Sequence, residues 1–185
     1  MYIVIRIIDF IGALVGMIVL SPIILIIVVV GWFDTRSPLF FQKRVGYKQR
    51  GFILVKFRTM QKDTPSVASH LVQSNQITSL GSFLRKTKLD ELPQLWNVLI
   101  GQMSLVGPRP CLPNQEELIR EREMRHIFLV KPGITGLAQI RNIDMSDPVL
   151  LAKTEAEMLD TFTLQSYFLY ILKTIAGKGR GDAVK

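Results

Sequence analysis

The sequence predicts a mainly α-helical protein with one small β-hairpin, an α+β fold standing behind an N-terminal membrane segment. Three observations carry this reading. No charged residue occurs from Phe10 to Phe33, two short β-type runs flank Gly46 and Gly51, and helix start and stop signals recur through the second half of the chain. At 185 residues, one compact unit is the natural size. The division falls where the apolar run ends: residues 1–33 form the membrane segment, and residues 34–185 form one domain large enough for its own core.

The apolar run is mostly Ile, Leu, Val and Gly and is long enough to cross a bilayer as one helix. A cleaved signal peptide fits poorly, because Asp9 lies in the leading region, no A-x-A site follows and the run is too long. Ser21-Pro22 sits near its centre. Proline there removes one helical hydrogen bond and crowds the carbonyl four residues back. In lipid that carbonyl needs a partner, and the Ser21 hydroxyl suits the task. Two topologies stay open. One is a kinked single span, with Arg36, Lys43 and Arg44 holding the domain in the cytoplasm. The other is a helix–break–helix hairpin returning both ends to the cytoplasmic face. Gly12 and Gly16 match the small-xxx-small helix contact pattern, or are simply glycines in a glycine-tolerant segment.

The net charge of +8 concerns partners rather than fold: anionic membrane, nucleic acid or phosphorylated substrates. Arg36, Lys43, Arg44, Lys48, Arg50, Lys56, Arg58 and Lys62 follow the apolar run with no acid between them. That stretch suits the anionic cytoplasmic leaflet, at about 1 kcal/mol per cation. No aromatic-rich stacking motif or reader module supports nucleic acid as the partner. Within the stretch, Phe40-Phe41-Gln42 and Phe52 to Arg58 read as strands of a hairpin, and alternation places Lys56 and Arg58 on one face. Residues 61–76 read as a polar loop suited to covering a site. A single cysteine, Cys111, and two distant histidines, His70 and His126, offer neither an internal disulfide nor a zinc set.

The run from Leu84 to Leu99 holds two adjacent carboxylates, Asp90 and Glu91, preceded by Arg85, Lys86 and Lys88. Pro93 suits a helical first turn, which makes Asp90 a natural N-cap. The functional reading of the same pattern is a phosphate held at a helix N-terminus, with a carboxylate placed to bind Mg²⁺ or to attack phosphorus. The helix ends near Gly101. In Met103 to Pro110, two prolines clamp Arg109 in an extended turn, a preorganised contact for phosphate or a plain surface arginine. Residues 114–130 read as a charged helix capped by Asn114, broken by Lys131 to Gly136. Arg141 follows in an irregular stretch. Asp147-Pro148 opens the final helical region, where Met158, Phe162, Phe168, Leu172 and Ile175 form an apolar stripe for the core or for a membrane interface.

Five runs occur together and in order: Phe41-Gln42-Lys43-Arg44-Val45-Gly46, Lys56-Phe57-Arg58-Thr59-Met60, Leu89-Asp90-Glu91-Leu92-Pro93-Gln94-Leu95-Trp96-Asn97-Val98, Ser104-Leu105-Val106-Gly107-Pro108-Arg109-Pro110 and Lys131-Pro132-Gly133-Ile134-Thr135-Gly136. In this the chain resembles the bacterial sugar transferase family, the small monotopic phosphoglycosyl transferases, over nearly its whole length. The resemblance implies transfer of a sugar-1-phosphate from a UDP-sugar to a polyprenol phosphate, usually undecaprenyl phosphate, with release of UMP. It implies a re-entrant membrane helix broken at Ser21-Pro22, a catalytic domain with interfacial amphipathic helices, and a place on the cytoplasmic face of the bacterial inner membrane. It makes Asp90 the nucleophile and a Mg²⁺ ligand, and Glu91 the group that activates the polyprenol phosphate. Arg85 and Arg109 match phosphate-contacting positions, joined as candidates by Lys56, Arg58 and Arg141. Gln102 stands where many members have Asp and receives no metal role. A homodimer is left open, and no residue selects the sugar. Two rival readings accompany this one: direct attack in a ternary complex with Asp90 only as a metal ligand, and a non-enzymatic membrane protein binding anionic lipid or nucleic acid.

Overall fold

Residues 2–62, 64 and 76–179 are described in a computed structural model of the chain. The first element, α1 (Tyr2–Thr35), is a single helix of 34 residues. The helix–break–helix expected at Ser21-Pro22 is corrected by this: helical structure runs on through Pro22. The reason is local. Pro22 lacks the N–H that would bond the carbonyl of Ile18, and the Ser21 hydroxyl donates to that same carbonyl at 2.7 Å.

α1 is held to the rest of the molecule along its length. Ile5 and Ile8 pack on the cluster of Val106, Met158 and Tyr167. Ala13 is buried with Leu54, Leu95, Val98 and Met103, and Ile27 with Phe57 and Leu84. A Cβ on Gly12 would lie 3.0 Å from Leu105 Cδ1, and one on Gly16 would lie 3.3 Å from Leu95 Cδ1. The small-residue face of α1 therefore receives leucines of its own chain. Two polar side chains pin the same end. Arg6 donates to the carbonyls of Val98 and Leu99 at 2.6 and 2.8 Å. Buried Asp9 accepts from Ser104 Oγ, Leu105 N and Tyr167 OH at 3.0, 2.8 and 2.7 Å. The opposite face is apolar and bare, with Ile18 64%, Val19 67% and Leu25 64% exposed.

β1 (Leu39–Val45) and β2 (Gly51–Phe57) form the expected antiparallel hairpin, with Leu39 opposite Phe57 and Val45 opposite Gly51. Lys48 and Gln49, both left-handed, close its turn. Alternation along β2 buries Phe52, Leu54 and Lys56 on one face. A second sheet was not anticipated: β3 (Ser104–Val106) and β4 (Gly133–Thr135) pair in parallel. Strands of three residues are too short to show alternation in a sequence. Their approach is close enough that a Cβ on Gly133 would fall 2.0 Å from Gly107 N, so glycine is required there.

Helices α2 (Ser79–Thr87), α3 (Gln94–Leu99), α4 (Glu116–Met124), α5 (Leu137–Ile140), α6 (Pro148–Asp160) and α7 (Leu164–Ile175) complete the chain. The Asn114 cap expected for α4 is not used. The helix starts one residue later, after Gln115, whose side chain accepts from Leu112 N at 2.8 Å. It stops at Met124 because His126 turns left-handed (φ 56). α6 opens as read, with Asp147 accepting from Leu150 N at 2.9 Å and Pro148 in the first position. The final region is two helices rather than one, because a Thr163–Ser166 capping box starts α7 afresh. This divides the apolar stripe. Met158 is buried, whereas Phe168, Leu172 and Ile175 are exposed. The loop expected to cover a site, 61–76, falls largely outside the described residues.

Candidate active site

Three segments meet around Glu91. α2 ends at Lys88, whose left-handed conformation (φ 59) turns the chain into a 3-10 turn, Leu89–Glu91. Asp90 and Glu91 are 5% and 9% exposed within that turn. The N-cap reading of Asp90 is corrected: α3 begins at Gln94, with Pro93 in the cap position and no side-chain cap bond. With α3 only six residues long, the helix dipole offers little for phosphate, and side chains carry the positive charge instead.

Lys56 Nζ from β2 and Arg109 Nη2 from the loop after β3 both donate to Glu91 Oε1, at 3.2 and 3.0 Å. Lys88 belongs to the same electrostatic group. Burial lowers its ammonium below the ordinary lysine value; Glu91 opposes that and Arg109 adds to it. A strand, a turn and a loop thus bring three cations to the neighbourhood of two carboxylates. Asn97 fixes the strand's position, accepting from Val55 N at 3.1 Å and donating to the Ile53 carbonyl at 2.7 Å.

The loop carrying Arg109 is gripped from behind by side chains that sequence reasoning missed. Arg122 donates to the Arg109 carbonyl at 2.8 Å and forms a two-pronged pair with Glu155 at 2.8 and 2.5 Å. Both partners are buried, at 2% and 1% exposure. Burial pushes the Glu155 carboxyl up, and Arg122 pulls against it. Arg44 does the same for the next carbonyl, donating to Pro110 O at 2.9 Å and to Gln42 Oε1 at 2.5 Å. Nothing local marks Arg122 or Glu155, since each lies in a helix rich in other charges. The run that contains Gln42 and Arg44 stands out by its pattern, which carries no sign of this contact.

The remaining candidates divide. Arg85, in the last turn of α2, reaches Thr59 Oγ1 at 2.9 Å, just beyond β2. Arg58 lies past the end of β2, where strand alternation no longer applies. Its guanidinium bonds the carbonyls of Ser37 and Leu39 at 2.9 and 3.3 Å and stacks over Phe40, so it ties down the link from α1 to β1. Arg141 holds Glu157 through two bonds of 2.6 and 2.7 Å, in a pair nearly half exposed. Neither Arg58 nor Arg141 joins the Lys56–Glu91–Arg109 contact. Among the described residues no three His, Cys, Asp or Glu side chains gather to hold a cation unaided. Mg²⁺ commonly takes one or two carboxylates together with substrate phosphates and water, and Asp90 beside Glu91 fits that donor set.

Comparison with known proteins shows the family. Residues 1–178 match the bacterial sugar transferase family. The galactosyl transferase CpsE of Streptococcus agalactiae is 35% identical over 185 residues, covering 92% of this chain and 41% of that protein. A UDP-glucose:undecaprenyl-phosphate glucose-1-phosphate transferase of Xanthomonas campestris is 36% identical over 171 residues, covering 88% of this chain and 35% of its own length. The uncharacterized sugar transferase EpsL of Bacillus subtilis is 43% identical over 136 residues, covering 73% of this chain and 67% of its own. The chain therefore spans well under half the length of the first two of these relatives. The chain belongs to the bacterial sugar transferase family.

Proposed function

We propose that this chain transfers a sugar-1-phosphate from a UDP-sugar to a polyprenol phosphate, with Asp90 as a covalent nucleophile. An Asp90 oxygen attacks the phosphorus that bears the sugar. The bond from that phosphorus to the bridging oxygen breaks, and UMP leaves with the electron pair. A phosphate oxygen of the polyprenol phosphate then attacks the same phosphorus and frees the carboxylate. The phosphoanhydride of the UDP-sugar gives way to an acyl phosphate on Asp90 and then to the phosphoanhydride of the lipid product, so one anhydride replaces another and no ATP is needed. The barrier is the approach of anion to anion. The observation that carries the proposal is the pairing of Lys56 and Arg109 on Glu91: it sets two cations on the carboxylate next in the chain to Asp90, positive charge that suits a diphosphate at that turn. Lys88 adds charge to the same group, and Arg85, in the last turn of α2 just before it, is a further cation for phosphate. Mg²⁺, held by Asp90 and diphosphate oxygens, would supply further neutralisation of the leaving group. Glu91 keeps both cations in place and stands ready to accept a proton from the incoming lipid phosphate.

The same reading places the protein on the cytoplasmic face of the inner membrane, entering one leaflet without crossing. A helix of 34 residues is about 50 Å long, more than the ~30 Å hydrocarbon core. A crossing helix would carry one end away from the domain, whereas α1 makes domain contacts from Arg6 to Gly31. The bare faces of α1 and α7 then meet lipid, which brings the Asp90 turn near the headgroups where the acceptor lies.

The test is exchange without acceptor. With Mg²⁺ and a UDP-sugar but no lipid, labelled UMP should enter the UDP-sugar, and the Asp90 peptide should gain the mass of a sugar phosphate. Asp90→Asn should abolish both. Absence of exchange in a preparation competent for full turnover would indicate direct attack in a ternary complex. UDP-glucose is the first donor to try, since relatives from Xanthomonas campestris and Klebsiella pneumoniae carry it in their names.

A further inference from the structure

Away from Asp90, a pocket of about 250 Å³ lies between the first turns of α1, the strand β3 and the end of α6. Ile5, Val106, Met158, Leu159 and Phe162 give it apolar walls. Two cations line it as well, Arg6 and Lys131. They converge over Gly101, where an added Cβ would meet Arg6 Nη2 at 3.3 Å and Lys131 Nζ at 3.5 Å. Arg6 is occupied by main-chain carbonyls, and the Lys131 ammonium lies 5.8 Å from the centre of the Tyr2 ring. Among the described residues neither cation pairs with a carboxylate. Asp9 also borders the pocket, but its Oδ1 already takes three donors.

Two neighbouring cations repel each other unless an anion sits between them. Here the anion would stand over an apolar pocket, and the pocket opens beside a helix whose Ile3 and Ile7 are bare. A ligand carrying one negative head on an apolar chain satisfies all three features. We propose that the pocket binds one anionic membrane phospholipid, its phosphate between Arg6 and Lys131 and part of one acyl chain against Met158, Leu159 and Phe162. This rests on the membrane placement above. The volume is below the ~300–1,000 Å³ of pockets that enclose a whole small ligand, so a length of chain enters and the rest stays in the leaflet. Charge complementarity selects an anionic head over a zwitterionic one.

The test uses the full chain in phosphatidylcholine nanodiscs doped with phosphatidylglycerol carrying a photoactivatable acyl chain, with adducts mapped by peptide mass spectrometry. Adducts are expected on Met158, Leu159 or Phe162 as well as on the outer face of α1. Leu159→Trp, which fills the pocket, should remove the first group and leave the second. Lys131→Gln should lower the pocket adducts about fivefold, the equivalent of one lost cation, and photoactivatable phosphatidylcholine should label the pocket weakly. Adducts confined to the outer face of α1, or equal pocket labelling from both headgroups, would overturn the proposal while leaving the membrane reading intact. Displacement by undecaprenyl phosphate but not by unlabelled phosphatidylglycerol would also overturn it, making the pocket part of the acceptor site. No adducts anywhere on α1 would overturn the membrane reading and this proposal together.

Discussion

The Arg122–Glu155 pair allows stability and catalysis to be separated in one experiment. Arg122→Met leaves Glu155 as a buried carboxylate, and Glu155→Leu leaves Arg122 as a buried guanidinium, both at sites almost without solvent contact. Breaking a buried pair from one side costs about 3–5 kcal/mol. In a chain of this size that corresponds to a drop in Tm of roughly 6–20 °C. Removing both charges with apolar groups of similar volume is often close to neutral. The double variant should therefore regain most of the loss, with a coupling of at least about 2 kcal/mol in the mutant cycle. It would still lack the donor that Arg122 gives to the Arg109 carbonyl. That bond is worth about 1 kcal/mol in stability, but it also fixes a loop whose side chain reaches Glu91. A displacement of Arg109 by about an ångström lowers kcat/KM by up to ~100-fold. Thermal unfolding and UMP release, measured on the same detergent-solubilised preparations, report the two effects. A double variant as unstable as the single ones would refute the coupling of the two charges. A stable double variant that turns over like the parent would refute the role of Arg122 in positioning Arg109.

Three further outcomes follow from local geometry. Tyr167→Phe removes a buried bond to Asp9 and should cost about 1.5–3 kcal/mol. Burial, reinforced by Asp9, raises the Tyr167 phenol above its ordinary value. Its contribution is thus fully present below the ordinary tyrosine pKa and declines as pH rises toward the folded value. Unfolding followed above pH ~10 should show the parent losing stability and Tyr167→Phe lacking that component. An equal slope in both proteins would contradict this. Gly133→Ala places a Cβ 2.0 Å from Gly107 N, and overpacking of main chain against main chain should cost about 3 kcal/mol or more. An unchanged melting temperature would mean that the two strands do not approach as described. Ser21→Ala removes the donor to Ile18 and should cost about 1 kcal/mol. Adding Pro22→Ala restores the backbone bond, so the double variant should be at least as stable as the parent; a further loss would refute the uninterrupted helix.

Local chemistry wrote several features plainly into the amino-acid order. An uncharged run from Phe10 to Phe33 can only be comfortable as an apolar helix, the β-rich segments around Gly46 and Gly51 pair because a short turn joins them, and Asp147-Pro148 caps α6 through atoms three residues apart. Ser21 relieving the carbonyl freed by Pro22 is of the same kind, because donor and acceptor sit within one helical turn. The motif runs also singled out Lys56, Asp90, Glu91 and Arg109 as residues to watch. Their meeting was another matter. Lys56 and Glu91 are 35 positions apart, and Arg122 and Glu155 are 33 apart. No periodicity or cap relates such partners, and only packing of α4 on α6 and of β2 on the 3-10 turn creates the contact. Arg58 and Arg141 show the reverse. Each has the chemistry for phosphate, yet the turn beyond β2 and the neighbouring α6 give each a different partner. Residue type states what a side chain can do. Which charges face one another, and which are buried enough for that to matter, is decided when distant segments exclude water together.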